Sequence, residues 1–292
     1  MECKKPISLR GMQVGCGQCM PCRINKRREW THRIMLEAKC HVENSFVTLT
    51  YSPEHLPEDG SLRPEELQKF LKRLRKAISP QKIRYFGVGE YGDISWRPHY
   101  HLAVFGLGDS YERIVSDTWG FGHVKVDPLT LERAQYVAGY VTKKMTSADD
   151  PRLGSRHPEF SRMSLKPAIG FKAVDALTEK LHGRFGDNIL GYFADVPKSL
   201  KIGSKSFPLG RTMKDKLRDS IGWEKGKLVD REIPEEILAL RKARCEKEIL
   251  QILQDFETSS TDKSLAVYLE EKRKQKCLNR EVKHQIYNNR RI

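Results

Sequence analysis

Between residues 45 and 145 two hydrophobic periodicities succeed each other in a fixed order, and that order leaves few folds open. Residues 45–51 (SFVTLTY) alternate with the period of a half-buried strand. Residues 64–78 switch to helical spacing: Pro64 suits a first helical position, and Leu67, Phe70, Leu71, Leu74 and Ile78 form one apolar stripe. Residues 83–90 (IRYFGVGE) and 97–105 (RPHYHLAVF) are rich in branched and aromatic residues, which predicts two strands joined as a hairpin. A short helix at 110–119, a strand at 122–126 and a strong helix at 129–145 follow. Strand, helix, strand, strand, helix, strand, helix predicts an α+β domain: a ferredoxin-like (RRM-like) antiparallel sheet with flanking helices.

The hairpin carries the first chemistry. In a strand alternate side chains share a face, so His99 and His101 point the same way. Glu90, at the end of the preceding strand, sits across from the start of the histidine strand. Two neutral imidazoles and one carboxylate suit Mg²⁺, Mn²⁺ or a similar ion, with positions left open for a phosphate. The alternatives are histidines that are merely exposed or hydrogen-bonded, and a Glu90 that caps the hairpin or pairs with Arg97. In the helix at 129–145, an advance of ~100° per residue puts Tyr136, Tyr140 and Lys143 in one stripe, with Lys144 a turn after Tyr140. Val137, Val141 and Met145 form the neighbouring stripe that packs on the sheet. A tyrosine stripe is often core, but lysines on the same stripe favour an exposed edge that faces an anion.

Charge and cysteines bound the rest. There are 53 Lys+Arg against 38 Asp+Glu, a formal net charge of +15, which favours a polyanionic partner such as nucleic acid. The first residues lack the apolar core of a signal peptide, and no apolar run approaches a membrane span. A soluble, intracellular protein is expected, with its seven cysteines reduced or bound to metal. Cys16, Cys19 and Cys22 form two overlapping Cys-x-x-Cys pairs, and Cys3 completes a four-sulfur set for a structural zinc. Cys40, His32 and His41 are substitutes for the fourth place, and a redox pair or free thiols are the alternative to metal. Residues 23–39 read as an amphipathic helix whose basic face is either solvated or in contact with phosphate.

Three regions follow: a Cys-rich basic segment at 1–44, a core at 45–146, and a linker with a mainly helical extension at 147–292. In the last, 147–170 reads as linker or loop, and 173–185, 211–221 and 234–256 as helices. Residues 262–291 read as a charged helix that frays into a basic tail. No Walker A pattern and no internal repeat occur in the 292 residues.

In their order, FVTLTY, GEYGDISWRPHYHLAVFG and YVAGYVTKK resemble the three motifs of HUH endonucleases that initiate rolling-circle replication. The paired tyrosines resemble the two-tyrosine branch of small single-stranded DNA bacteriophages. CGQCMPCRINKRREW is similar to replication initiators of the gokushovirus group of microviruses. The resemblance covers roughly residues 1–146. It implies that His99 and His101 ligate a catalytic Mg²⁺ or Mn²⁺ with Glu90 as third ligand, although the hairpin loop also offers Asp93. It implies further that Tyr136 and Tyr140 are nucleophiles and that Lys143 or Lys144 contacts DNA. Such an enzyme nicks origin DNA, keeps the 5′ end as a phosphotyrosine and later rejoins single strands, with Trp96 available to stack on bases. The partners so implied are single-stranded and origin DNA and a host helicase and polymerase, with no membrane, in the cytoplasm of a bacterial host. A relaxase or transposase of the same superfamily shares the chemistry but not the substrate. A non-enzymatic nucleic-acid-binding module of ferredoxin-like fold would use the same rings only for stacking.

Overall fold

The computed structural model describes residues 3–9, 12–92, 94–142, 150–186, 189–193, 195–221, 235–259 and 261–289. Two compact units result, one of Arg27–Ala173 and one that joins Met1–Lys26 to Val174–Ile292. In chain order a small hairpin of β1 (Ile7–Leu9) and β2 (Met12–Val14) leads into helix α1 (Met20–Ala38), which the unit boundary divides. Next come β3 (Asn44–Thr50), α2 (Pro64–Ala77), β4 (Arg84–Tyr91), β5 (Pro98–Phe105), α3 (Glu112–Trp119), β6 (Val124–Pro128), α4 (Leu131–Val137) and β7 (Phe160–Met163). The second unit adds α5 (Val174–Phe185), α6 (Ile189–Phe193), a hairpin of β8 (Ser199–Ile202) and β9 (Lys205–Pro208), α7 (Arg211–Ser220), α8 (Glu235–Thr258) and α9 (Leu265–Asn289). Among the described residues, no helix is long and apolar enough to cross a membrane.

The five-stranded sheet runs β6-β3-β5-β4-β7, with every neighbouring pair antiparallel. Its first four strands have the ferredoxin-like order, and the period of two in their sequences assigns two faces. Val47, Leu49, Tyr100, Leu102 and Val104 face α2 and α3, which contribute Leu67, Phe70, Leu71, Leu74, Val115 and Trp119. Phe46, Phe86, Val88, Ala103 and Phe105 face the other way, against Ile34 of α1 and Ala134 and Val137 of α4. His99 and His101 keep step with Ala103 and Phe105, so the fold delivers both to the α1/α4 face. α2 forms where expected: Pro64 opens it, Glu65 and Glu66 lie in its first turn, and Arg75 and Lys76 lie in its last, as the helix dipole favours.

Gly122, where β3 leaves the sheet and β6 enters, has φ 155°, and a Cβ there would lie 2.3 Å from the Ser52 nitrogen and 2.6 Å from the Thr50 oxygen. Both neighbours are backbone and both strands are hydrogen-bonded there, Ser52 N–H to Phe121 O at 2.8 Å and Thr50 N–H to His123 O at 3.0 Å. Neither side can yield. Gly122→Ala is therefore expected to cost roughly 3 kcal/mol, read as a shift of the denaturant midpoint at constant m-value.

Four expectations need correction. The helix foreseen at 129–145 ends as α-helix at Val137 and tightens to a 3₁₀ segment, Ala138–Thr142. Residues 143–149, with Lys143 and Lys144, lie outside the described residues. Residues 147–170 are not only linker, because β7 pairs with β4 from Phe86↔Met163 to Gly89↔Phe160. The unit that holds the sheet accordingly runs from 27 to 173 rather than from 45 to 146. Part of the basic face of α1 is structural: Arg27 Nε donates to Gln135 O at 3.0 Å and Arg33 Nε to Ile169 O at 3.0 Å. Arg33 also lies 4.2 Å from the Trp30 ring centroid, and its burial lowers its pKa.

The C-terminal unit contains the expected helices in α5, α7, α8 and α9. Met213 and Leu217 are buried with Val174 and Leu181, and Thr178 Oγ1 donates to Ser220 Oγ at 3.0 Å. The hairpin β8–β9 and the short α6 carry too few residues for their periodicity to be read from sequence.

Candidate active site and cysteine cluster

β4 and β5 set the metal-type residues by register: Glu90 pairs with His99 and Val88 with His101, while Thr50 and Thr48 of β3 lie across from His99 and His101. Glu90, His99 and His101 therefore occupy adjacent positions of one face, with Thr48 and Thr50 beside them. Glu90 is 2% and His101 8% exposed, deep enough for charge interactions to be strengthened. Each imidazole is held through Nδ1: that of His101 lies 3.0 Å from Thr48 Oγ1, and that of His99 lies 3.1 Å from Arg97 O. Both bonds leave Nε2 as the outward nitrogen, which is how metal-binding histidines are oriented by their outer partners. Phe46 stacks on His101 at 5.3 Å between ring centroids and fixes its plane. Two imidazoles and a buried carboxylate fit an ion of the Mn²⁺ or Mg²⁺ type, although their donor atoms do not converge as tightly as those of the cysteines described below.

α4 brings the tyrosines to this face. Thr130 caps the helix by accepting from Arg133 N–H at 3.3 Å, and the Arg27 bond to Gln135 O ties its last turn to α1. Tyr136 then stands over the histidines. Its hydroxyl is 3.4 Å from His101 Nε2, its ring lies edge-on to His101 at 5.0 Å, and it is 43% exposed. Tyr140 is half-buried, and the 3₁₀ segment takes it out of the stripe expected from helical spacing. In a 3₁₀ turn each residue advances about 120° and 2.0 Å, not the ~100° and 1.5 Å of an α-helix. The Tyr140 hydroxyl is directed to the side chain of Ser161 in β7, and its pKa is raised, chiefly by burial and then by the charges of Glu159 and Glu90.

Glu159 was not foreseen. It is 2% exposed and its Oε1 accepts from Tyr91 N–H at 3.2 Å. Beyond the Gly89↔Phe160 pair the next opposed positions are Glu90 and Glu159, so two buried carboxylates end neighbouring strands on the same face. Nothing in HPEF announces a strand, so no signal in the sequence could have found it. Trp96, expected beside the site as a stacking platform, instead packs near Tyr91 with the Arg156 guanidinium 5.1 Å above its ring. Its φ of 53° is held by its N–H bond to Gly92 O at 2.9 Å. Asp93 lies outside the described residues.

In the other unit the sulfurs of Cys3, Cys16, Cys19 and Cys22 all lie within 4.8 Å of one another. Among the described residues this is the group of metal-type side chains that converges. Cys40, His32 and His41, the other choices for a fourth ligand, belong to the sheet unit. Backbone N–H groups of Cys19 and Gln18 hold the Cys16 thiol down to about 6, while burial pushes Cys22 up to about 12.

The stretch that holds this sheet and its tyrosines, residues 44–145, matches the family of replication-associated proteins ORF2/gene II protein. Among individual proteins, the chain is 32% identical to replication-associated protein VP4 of Bdellovibrio phage phiMH2K over 58% of this chain and 60% of the relative. It is 38% identical to replication-associated protein ORF2 of Spiroplasma virus 4, over 58% and 59%. A third relative, replication-associated protein ORF4 of Chlamydia phage 1, is 30% identical over 70% of this chain and 53% of its own length. The chain thus spans between 53% and 60% of the length of these relatives. The likeness to microvirus replication proteins read in the motifs is borne out. No solved structure matches the chain.

Proposed function

We propose that this protein is the replication initiator of a single-stranded DNA phage, a metal-dependent nickase and strand transferase of the HUH type. The observation that carries the reading is the Tyr136 hydroxyl 3.4 Å from His101 Nε2, over a face shared with His99 and Glu90. Glu90, His99 and His101 would hold the ion, with Glu159 as a neighbouring carboxylate. When bound, Mg²⁺ or Mn²⁺ neutralises charge on the scissile phosphate and polarises phosphorus. The residues do the rest. Thr48 and the Arg97 carbonyl keep both Nε2 atoms turned outward. The partly exposed Tyr136 presents its oxygen in line with a strand laid along the sheet edge. Its oxygen bonds to phosphorus as the P–O3′ bond breaks. The phenol loses one proton and the departing 3′-oxygen gains one, so the exchange needs no ATP. The freed 3′-hydroxyl primes synthesis, and a later 3′-hydroxyl attacks the phosphotyrosine to rejoin the strand. Lys143 or Lys144 would contact the phosphates, and the net charge of +15 supplies the non-specific hold on DNA. Strand separation and synthesis fall to a host helicase and polymerase in the bacterial cytoplasm.

The test is to incubate the protein with single-stranded origin DNA, with and without Mn²⁺. A metal-dependent covalent adduct resistant to denaturation is expected, with binding that weakens steeply as salt rises. Salt-sensitive binding with no adduct in any divalent ion would instead favour a non-enzymatic nucleic-acid-binding module.

A further inference from the structure

We propose that Cys3, Cys16, Cys19 and Cys22 hold one zinc ion as a structural four-thiolate centre, with Arg273 of α9 as its outer positioning residue. The spacing favours a single ion. With Zn–S bonds of ~2.3 Å, tetrahedral geometry puts neighbouring sulfurs ~3.8 Å apart. Cys19 Sγ and Cys3 Sγ are 3.8 Å apart, and all four sulfurs fall within 4.8 Å. A disulfide would need ~2.05 Å, and the four are free cysteines.

The backbone is arranged for thiolates. Cys19 N–H donates to Cys16 Sγ at 3.4 Å, Cys16 N–H to Cys3 Sγ at 3.3 Å, and Lys4 N–H to Cys19 Sγ at 3.5 Å. Gly17, between Cys16 and Gln18, takes φ 75°, the left-handed turn that lets one loop present both sulfurs of a Cys-x-x-Cys pair. Four thiolates and Zn²⁺ carry a net charge of about −2, which a buried site must offset. Arg273 supplies positive charge beside the cluster: its guanidinium donates to the Cys3 carbonyl at 3.0 Å and to that of Lys4 at 3.4 Å. Glu270 holds the same guanidinium, its carboxylate accepting at 2.9 Å from Nε. Lys4 is itself anchored on α9, with Nζ 2.8 Å from Glu281. The ion would therefore fix the N-terminal segment where the last helix docks on it, a role separate from the chemistry of the sheet unit.

Full-length protein purified without chelator should carry about one zinc per chain by mass spectrometry, and no stoichiometric iron. Refolded with Co²⁺, it should show the thiolate charge-transfer and visible bands of a tetrahedral four-sulfur site. Cys19→Ser should lose the metal. Should that variant fail to fold, Arg273→Gln provides the second reading. It keeps all four ligands, and is expected to release zinc to a chromogenic chelator ~10-fold faster than the parent, at unchanged zinc content before challenge. Zinc below a tenth of an equivalent, iron in its place, or a cobalt spectrum without thiolate bands would overturn the four-thiolate zinc centre. Equal release rates for Arg273→Gln and the parent would overturn the role of Arg273.

Discussion

His101→Ala is expected to lower nicking of single-stranded origin DNA by on the order of 10³-fold or more, while DNA affinity changes less than ~3-fold. The two effects separate because they have different origins. Affinity is spread over the basic surface of a chain of formal charge +15, and no single neutral ring carries it. Catalysis depends on a ligand whose Nδ1 lies 3.0 Å from Thr48 Oγ1 and whose Nε2 lies 3.4 Å from the Tyr136 hydroxyl. Thr48→Val keeps the volume but removes the hydroxyl that orients the ring. It should reduce metal affinity or activity by ~10–100-fold, the range for outer partners of metal ligands. Nicking assays at several Mn²⁺ concentrations, run beside fluorescence-anisotropy binding, distinguish these outcomes. Unimpaired nicking by His101→Ala would remove the histidine face from the mechanism.

The two tyrosines are expected to be unequal in the first cut. Tyr136→Phe should reduce the first adduct by on the order of 10³-fold, to background, since it deletes the hydroxyl that stands over His101. Tyr140→Phe should leave the first adduct within ~3-fold of the parent but halt repeated transfer, because no free nucleophile then remains for the second cut. The asymmetry follows from the backbone. α-Helix at Tyr136 and 3₁₀ at Tyr140 send the hydroxyls to different neighbours, His101 Nε2 for one and Ser161 for the other. Burial also raises the Tyr140 pKa above that of an ordinary phenol, so that less phenolate is present at neutral pH. Alternation of the two would need Tyr140 to move toward the histidines once Tyr136 carries the 5′ end. First-cut adducts of equal yield from both single variants would show that the asymmetry has no chemical weight.

Periodicity made much of this legible. Alternation in FVTLTY and RPHYHLAVF, with helical stripes between, is enough to order the four ferredoxin-like strands and to put Glu90, His99 and His101 on one face. The converging cysteines were legible from their spacing alone. What escaped depended on contacts far apart in sequence. β7 is a four-residue strand whose only reason to exist is the free edge of β4, and Glu159 enters the site on it. The early end of α4 is equally non-local: Tyr136 and Tyr140 have helical spacing, yet the chain tightens after Val137, where Ala138 is fully buried against the sheet. Trp96 was drawn away from the expected platform by Tyr91 and Arg156, neither of which the hairpin sequence reveals as its partner.

The central claim is that the tyrosine over the histidine face becomes joined to DNA. Single-stranded origin DNA should be incubated with the full chain and Mn²⁺, the covalent product digested with protease and nuclease, and the modified peptide sequenced by mass spectrometry. A nucleotide joined through its 5′-phosphate to Tyr136, formed only when the divalent ion is present, is the result expected. An adduct on a residue outside the 136–140 segment, or cleaved DNA with free 5′-phosphate and no adduct, would contradict the mechanism.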